Sequence, residues 1–527
     1  MRLRDTMMKN RLWLHLLAVL LAWLFFSHNI AIASEIPKVR FSVESFVLEG
    51  ENPLPEGETR RIFEPFLGEH EGLDRIEKAS QALQQALHDK GYTFHQVIVP
   101  PQRVMEGVIK LKILTFKLDK VAIAGNEHFS DENILASVPF LQPGQTPNTL
   151  EVARSLKFAN EHPAKHLAVF IRDSEEPESI NARVETQDIR PQQFFSSLSN
   201  TGDRATGHTR LSLGYQHSNL FDRDHIMTLS YTTSPGHFSD VRQWGGHYRL
   251  PLYRQCAGLT MFYTHSKMDQ GTVGEFFDVS GKGSFAGVSL DYMLSPLADY
   301  SHKMDFGVQD KLFENDTSFS GTLIGTDVRS RPLSIRYTGR WEKTKGSGGF
   351  YLEYARNLGG GGNNNPESYL ANRAGADLRW DIFRFGVDID RILPRNFLLR
   401  ARLAGQESDE PLISGEQFGL GGVSSIRGFE EREVSGDSGQ QLNVEIWSPP
   451  LSLNTRILGF VDMGRKYLDE PIPGQDNRNS LASIGLGLRW QWKTNLSLSL
   501  DGAYVTNGAY TTGSGDEKLH FNLFYRF

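Results

Sequence analysis

One cysteine, Cys256, occurs in 527 residues, so no disulfide within the chain is available to staple a domain. Long apolar runs are equally scarce. Beyond a stretch at 12–26, nothing approaches the ~18 consecutive apolar residues of a membrane-crossing helix. Excess positive charge is missing too. Against 63 Asp and Glu stand 56 Lys and Arg, a net charge of −7, which argues against a nucleic-acid partner. The short catalytic signatures are also absent: no G-x-S-x-G elbow, no H-E-x-x-H pair, no Walker A loop. Gly281-Lys282-Gly283-Ser284 is glycine-rich, but it falls in an expected turn with no helix after it. The 16 histidines show no metal-ligand spacing. No catalytic residue, metal or cofactor is expected.

What is present begins at the N-terminus. Arg2, Arg4, Lys9 and Arg11 precede the apolar run, and Ala31-Ile32-Ala33 offers a cleavage site before Ser34. This predicts a signal peptide over 1–33, cleaved between Ala33 and Ser34. The hydrophobic fraction of 39% and mean hydropathy of −0.38 look like those of a soluble protein. A β-barrel wall gives the same values, because each lipid-facing apolar residue alternates with a polar one facing inward. Periodicity has to decide.

Residues 34–114 and 115–188 read as two α+β units of the same order, β-α-α-β-β. In the first, a strand at 41–50 leads to a short helix at 60–67. A clear helix follows at 76–90, where Ile76, Ala79, Leu83, Ala86 and Leu87 share a face before Gly91. Strands at 94–99 and 107–114 close the unit. The second repeats the order with a strand at 118–124, helices at 131–138 and 150–159, and strands at 167–171 and 180–184. Leu150, Val152, Ala153 and Leu156 are expected to face inward.

From about residue 193, period-2 alternation replaces helical spacing. In Ile484-Gly485-Leu486-Gly487-Leu488-Arg489-Trp490-Gln491-Trp492 the apolar residues face one way and Gly, Arg and Gln the other, with two tryptophans suited to an interfacial girdle. Sixteen such strands are expected, near 193–200, 207–217, 225–233, 240–250, 256–267, 283–294, 299–312, 332–343, 347–357, 376–391, 396–407, 440–449, 455–468, 481–493, 496–507 and 518–527. An even number closes an antiparallel transmembrane β-barrel with both termini on one side.

Two segments carry the strongest functional signal. In 457–464, Phe460, Asp462 and Gly464 share one face, and Ile457, Val461 and Met463 the other. The second face suits lipid. The first puts a lone carboxylate on an enclosed wall, where it needs a cation. Arg427, in the glycine-flanked stretch Ile426-Arg427-Gly428-Phe429 of a loop over 408–439, is the candidate. The chain then ends with Phe521, Leu523, Tyr525 and Phe527 on one strand face. Glu430, Glu431 and Glu433 are read as solvated loop charges.

These residues resemble the motifs of the BamA-like outer-membrane superfamily, a loop tip Val/Ile-Arg-Gly-Tyr/Phe and a strand Phe-x-Asp-x-Gly. The two N-terminal units resemble POTRA domains, and Pro100-Pro101-Gln102 with Gly107 resembles the first POTRA of two-partner secretion transporters. The last strand resembles the C-terminal signal read by the barrel-assembly machinery. Together they resemble a two-partner secretion transporter of the haemolysin-activator class. That resemblance implies two α+β POTRA domains in the periplasm and a 16-stranded barrel in outer-membrane lipid. It also implies a loop folded into the lumen, where Arg427 meets Asp462. The implied partner is a large secreted exoprotein (adhesin, haemolysin or contact-dependent toxin), engaged through an extended N-terminal secretion domain. The runner-up is a barrel-insertion factor of the same superfamily, which would usually carry more POTRA units. A passive porin would need neither the N-terminal units nor the loop. Such transporters commonly carry an N-terminal plug helix, which the seven residues 34–40 cannot hold, so either the plug is missing or initiation or cleavage falls elsewhere.

Overall fold

The structure, a computed structural model, describes residues 40–527 except 104, 204–205, 268–270, 274–276, 280–281, 315–317, 320–321, 324–325 and 472–473. The expected signal peptide and its cleavage site at Ala33–Ser34 lie outside the described residues. The chain divides into two compact units, one ending at Thr115 and the other formed by 116–527 with 90–94.

In the first unit, the strand expected at 41–50 is two strands, Arg40–Val43 and Ser45–Glu49. The Glu44 and Ser45 N–H groups both converge on the Gly107 carbonyl, at 2.8 and 3.3 Å, and the ladder breaks there. Arg40–Val43 instead pairs with Gly68–Glu71, a strand the polar sequence GEHE does not announce. Ser45–Glu49 runs parallel to Val108–Thr115, which pairs antiparallel with His95–Ile98. The helix expected at 60–67 lies earlier, at Glu56–Phe63. Helix Asp74–Asp89 buries Ile76, Ala79, Leu83 and Leu87. Gln84 fixes it to the sheet, donating to the His95 carbonyl (2.8 Å) and accepting from the Val97 N–H (2.7 Å). Gln102 makes the same two-way bond with the backbone of Lys110.

In the second unit, Ser179–Asp188 is the central strand, parallel to Lys117–Ala124 and antiparallel to Lys165–Asp173. Helices Asp131–Ser137 and Thr149–Ala159 are capped by Ser130 and Asn148 side chains. Leu118, Ile134, Leu167, Ile180 and Val184 form the core with Val152. The inward face of Thr149–Ala159 is not the one expected. Val152, Ser155, Phe158 and Ala159 are buried, whereas Leu150 and Ala153 are exposed. The helix packs on two sides, and its second contact, with the barrel, sets its rotation.

The barrel strands are β1 Gln192–Ser199, β2 Arg210–Leu220, β3 His225–Thr233, β4 Arg242–Leu252, β5 Ala257–Ser266, β6 Gly283–Met293, β7 Tyr300–Phe313 and β8 Pro332–Lys343. They continue with β9 Gly346–Asn357, β10 Asp381–Ile392, β11 Leu398–Glu407, β12 Ser438–Trp447, β13 Thr455–Tyr467, β14 Arg478–Trp492, β15 Leu496–Asn507 and β16 Glu517–Arg526. All are antiparallel to their neighbours, and β16 closes on β1. Val328–Ser330 is a short lead-in to β8 that pairs with the same strand, β7. The break falls at Pro332, which has no N–H, while the Arg331 N–H turns to Asn357 Oδ1 at 2.7 Å. β10 starts later than expected because helix Pro366–Asn372 and a turn occupy part of the preceding loop.

Alternation sorts the wall. Leu213, Leu229, Val288, Ile335, Ile484 and Leu486 point outward and stay exposed, Leu486 at 70%. A closed ring of half-covered large apolar side chains is what lipid solvates and water does not. Short turns lie at the end that carries 116–188, and long loops at the other.

Candidate functional site

The loop 408–437 between β11 and β12 folds back into the barrel. Ile426 and Phe429 at its tip are fully buried, packed with Leu420, Val434, Leu481 and Val505. Gly428 sits between them at φ +99°, and a Cβ there would meet Val505 Cγ2 at 3.0 Å, so only glycine fits without strain.

Arg427 lies against β13. Its Nε and Nη2 donate to Asp462 Oδ2 and Oδ1 at 2.7 and 2.8 Å, and its backbone N–H reaches Oδ2 at 3.1 Å. Nη1 faces Glu445 at 2.8 Å and Asp501 at 3.6 Å. The Phe460 ring lies under the guanidinium, 3.5 Å from Cζ. A Cβ on Gly464 would meet Leu420 Cδ2 at 2.9 Å, so its missing side chain admits the loop. The three wall positions thus divide the work into stacking, pairing and making room. Asn443 adds a bond to Asp462 (2.9 Å) and one to the Ser425 carbonyl (2.6 Å). Arg489, paired with Asp501 at 2.8 and 2.9 Å, offsets the third carboxylate.

Glu433 is not a solvated charge. It accepts from the Thr512 N–H (2.8 Å) and hydroxyl (2.7 Å) in the loop before β16, while Glu430 pairs with Lys518 at 3.0 Å. Beside the loop remains a cavity of about 690 Å³ whose lining includes Phe195, Arg210, Thr232, Arg402, Arg427 and Asn443.

At the C-terminus, β16 meets β1 only from Asn522 to Arg526. Phe194 and Phe527 exchange both backbone bonds at 2.9 Å and stack at 5.5 Å. Tyr525 and Phe527 are exposed on the outer face, and Phe521 and Leu523 are half-buried.

A second buried cluster has no counterpart in the motifs. Lys165, at the start of its strand, donates to Asn133 Oδ1 and Ser137 Oγ (2.6 Å each) and pairs with Asp224 in the β2–β3 turn. Neither the Lys165 nor the Asp224 side chain is exposed. Tyr253, in the β4–β5 turn, donates to the same carboxylate, as does Asn133 at 2.9 Å. Burial opposes ionisation of Asp224, but Lys165, with a hydrogen bond from Tyr253, holds its carboxyl below the ordinary value. Burial and Asp224 push the Tyr253 phenol well up, keeping it a donor. Nearby, Arg154 donates to the Met293 carbonyl at 2.6 Å, and Phe158 packs with Cys256 and Met293. The α+β unit 116–188 is therefore bolted to the barrel rim. Lysine at the head of a strand was the sole hint in the sequence.

A closed lipid-facing barrel, a lumen filled by its own loop and the α+β domain 116–188 at one rim define an outer-membrane transporter whose N-terminal domains lie in the periplasm. Residues 179–490 match the family described as haemolysin secretion/activation protein ShlB/FhaC/HecB, and residues 41–115 match the POTRA domain of ShlB type. The chain belongs to the ShlB/FhaC/HecB family. The heme/hemopexin transporter protein HuxB of Haemophilus influenzae (strain 86-028NP) is 22% identical over 473 residues, 85% of this chain and 79% of HuxB. The outer membrane transporter CdiB of Dickeya dadantii (strain 3937) is 23% identical over 418 residues, 75% of this chain and 72% of CdiB. The solved structure of CdiB from Escherichia coli superposes with a TM-score of 0.75 at 16% identity, covering 94% of this chain and 92% of that one.

Proposed function

We propose that this chain carries one large partner exoprotein, of adhesin, haemolysin or contact-dependent-toxin type, from the periplasm to the cell surface. The observation that carries this is a lumen blocked by the chain's own loop, which is held at its tip by polar contacts beside a cavity lined with polar side chains. A channel for small solutes needs no such plug. Displacing the tip joins the remaining cavity to the space the loop occupies, and a polar wall suits an extended polypeptide.

In this scheme, 1–33 is the signal peptide, cleaved between Ala33 and Ser34. Residues 34–114 and 115–188 receive the extended N-terminal secretion domain of the partner, and 189–527 is the barrel, with 408–439 folded into its lumen. Each α+β sheet ends in edge strands, such as Lys117–Ala124 and Lys165–Asp173, that an extended segment can join by strand addition. Export is drawn outward by folding of the emerged chain. The apolar belt faces outer-membrane lipid, and Phe521, Leu523, Tyr525 and Phe527 are read by the barrel-assembly machinery.

The test is to express the exoprotein encoded beside this gene with and without this chain, and to assay its arrival at the cell surface. Surface arrival is expected only with the transporter. Equal arrival without it would overturn the proposal.

A further inference from the structure

The lumen loop is fastened twice, and the second fastening lies far from Arg427 along the chain. Asp437, fully buried just before β12, accepts from the N–H groups of Leu412 and Asp469 (2.9 Å each) and from Gln417 Nε2 (3.2 Å). Arg373 supplies two more donors, Nη2 to Oδ2 at 2.8 Å and Nη1 to Oδ1. The same guanidinium also donates to the carbonyls of Leu412 and Asp469, at 2.7 Å each. Arg373 follows helix Pro366–Asn372 in the β9–β10 loop, and Asp469 lies in the loop after β13. One ion pair thus ties three consecutive loops at the extracellular mouth.

The neck around it is equally settled. Gln406 Nε2 bridges the Glu416 and Asp437 carbonyls at 3.0 Å each. Glu416 pairs with Lys311 at 3.1 Å and accepts from Ser330 at 2.6 Å. Leu412 and Ile413, fully buried, pack with Tyr369, Trp380, Phe285 and Phe313. The neck is therefore held by β6–β11 and the loop after β13, whereas the tip is held on the inner wall of β12–β16.

The two attachments differ in what release would demand. The Asp437 carboxylate takes five donors at once, drawn from three loops. Arg427 borders the cavity and has Glu445 and Asp501 beside Asp462, so it can exchange partners as it moves. From Glu416 to Arg427 the chain spans eleven residues, about 35 Å when extended. That length lets the tip leave its wall while the neck stays.

We propose that Arg373 and Asp437 are positioning residues that bolt the neck in place, so that the tip swings about a fixed base during export. The bolt rests on the chain being an export channel with a displaceable tip. The experiment uses the full-length protein with Cys256→Ser and two alternative cysteine pairs, Arg373→Cys with Asp437→Cys at the neck and Arg427→Cys with Asp462→Cys at the tip. Each is assayed before and after a short bis-maleimide cross-link. Readouts are surface arrival of the partner, single-channel conductance of purified protein, and heat-modifiability on a gel to show the barrel folded.

Arg373→Ala and Asp437→Asn are expected to raise the open-channel fraction at least about tenfold, since each breaks a buried pair. The charge-reversed pair Arg373→Asp with Asp437→Arg should recover part of it. Cross-linking the neck should preserve secretion, and cross-linking the tip should stop it. Loss of secretion on neck cross-linking would overturn the bolt, as would secretion through a cross-linked tip. So would unchanged conductance in folded Arg373→Ala and Asp437→Asn proteins. If the unsubstituted protein fails to export its partner, the export proposal falls, while conductance still reports on the bolt.

Discussion

The periplasmic rim and the lumen tip each bury one cation, and they surround it differently. Lys165 meets a single carboxylate, Asp224, and otherwise neutral groups from Asn133 and Ser137, with no exposure on either member of the pair. Arg427 meets three carboxylates next to a cavity, with Arg489 balancing the excess. A cation with one partner is fixed. A cation among several, at the edge of water, has somewhere to go. The rim is built to stay and the tip to move.

The largest effect is expected at the rim. Asp224→Ala should destabilise the docked unit by about 3–5 kcal/mol, because Lys165 is left buried without a counter-charge. Limited proteolysis in detergent should then release 116–188 much faster than from the unsubstituted protein. A Lys165→Met/Asp224→Leu double variant should recover most of the protection. Equal protection in Asp224→Ala would break the distinction.

At the tip, Arg427→Ala and Asp462→Ala should each reduce secretion while the barrel still assembles. Their double-mutant cycle should show a coupling of about 1–3 kcal/mol, the pair being worse off singly than together. Strictly additive losses would make Arg427 an ordinary loop charge. Gly428→Ala should cost about 1–2 kcal/mol of loop seating through its positive φ and the Val505 contact. Thiol labelling of a reporter at the buried neighbour, Ser425→Cys in Cys256→Ser protein, would reveal it as faster modification.

The smallest effect is one of pH, and it separates the two regions. His162 Nε2 donates to the Ser218 carbonyl at 2.7 Å, while Nδ1 accepts from the Ala164 N–H at 3.2 Å, so the ring sits neutral. Burial holds its pKa below the ordinary 6.5; Asp224 opposes that shift, while Lys165 and Arg249 add to it. A lowered folded value means the undocked state binds more protons as pH falls through about 6.5. Docking is therefore strongest above that pH and weakens on acidification. Hydrogen-exchange protection in 116–188, taken relative to the intrinsic rate at each pH, should fall between about pH 7.5 and pH 5. His162→Gln should flatten that dependence.

The barrel was legible because lipid and lumen impose a period of two on every strand, and each of the sixteen expected segments overlaps a strand. Arg427 and Asp462 were legible because each sits in a short local pattern. Arg373 with Asp437 and Lys165 with Asp224 were not. Their partners stand 64 and 59 residues apart, and only the closed barrel brings them together. Local breaks were not legible where converging backbone bonds or a proline, rather than periodicity, end the ladder, as at Glu44 and Pro332. The Glu433 contact with Thr512 was hidden for the same reason as the ion pairs, since a loop's destination is not written in its own residues.

Cys256 has a consequence for traffic. It ends the turn between β4 and β5, 1% exposed beneath Phe158, and burial raises its pKa above the ordinary thiol value. The chain's one sulfhydryl is thus kept protonated and covered in a compartment where thiols are readily oxidised. A cargo bearing cysteines can pass this transporter without being caught in a mixed disulfide. The docked helix that steadies the rim also keeps the chain's one thiol covered.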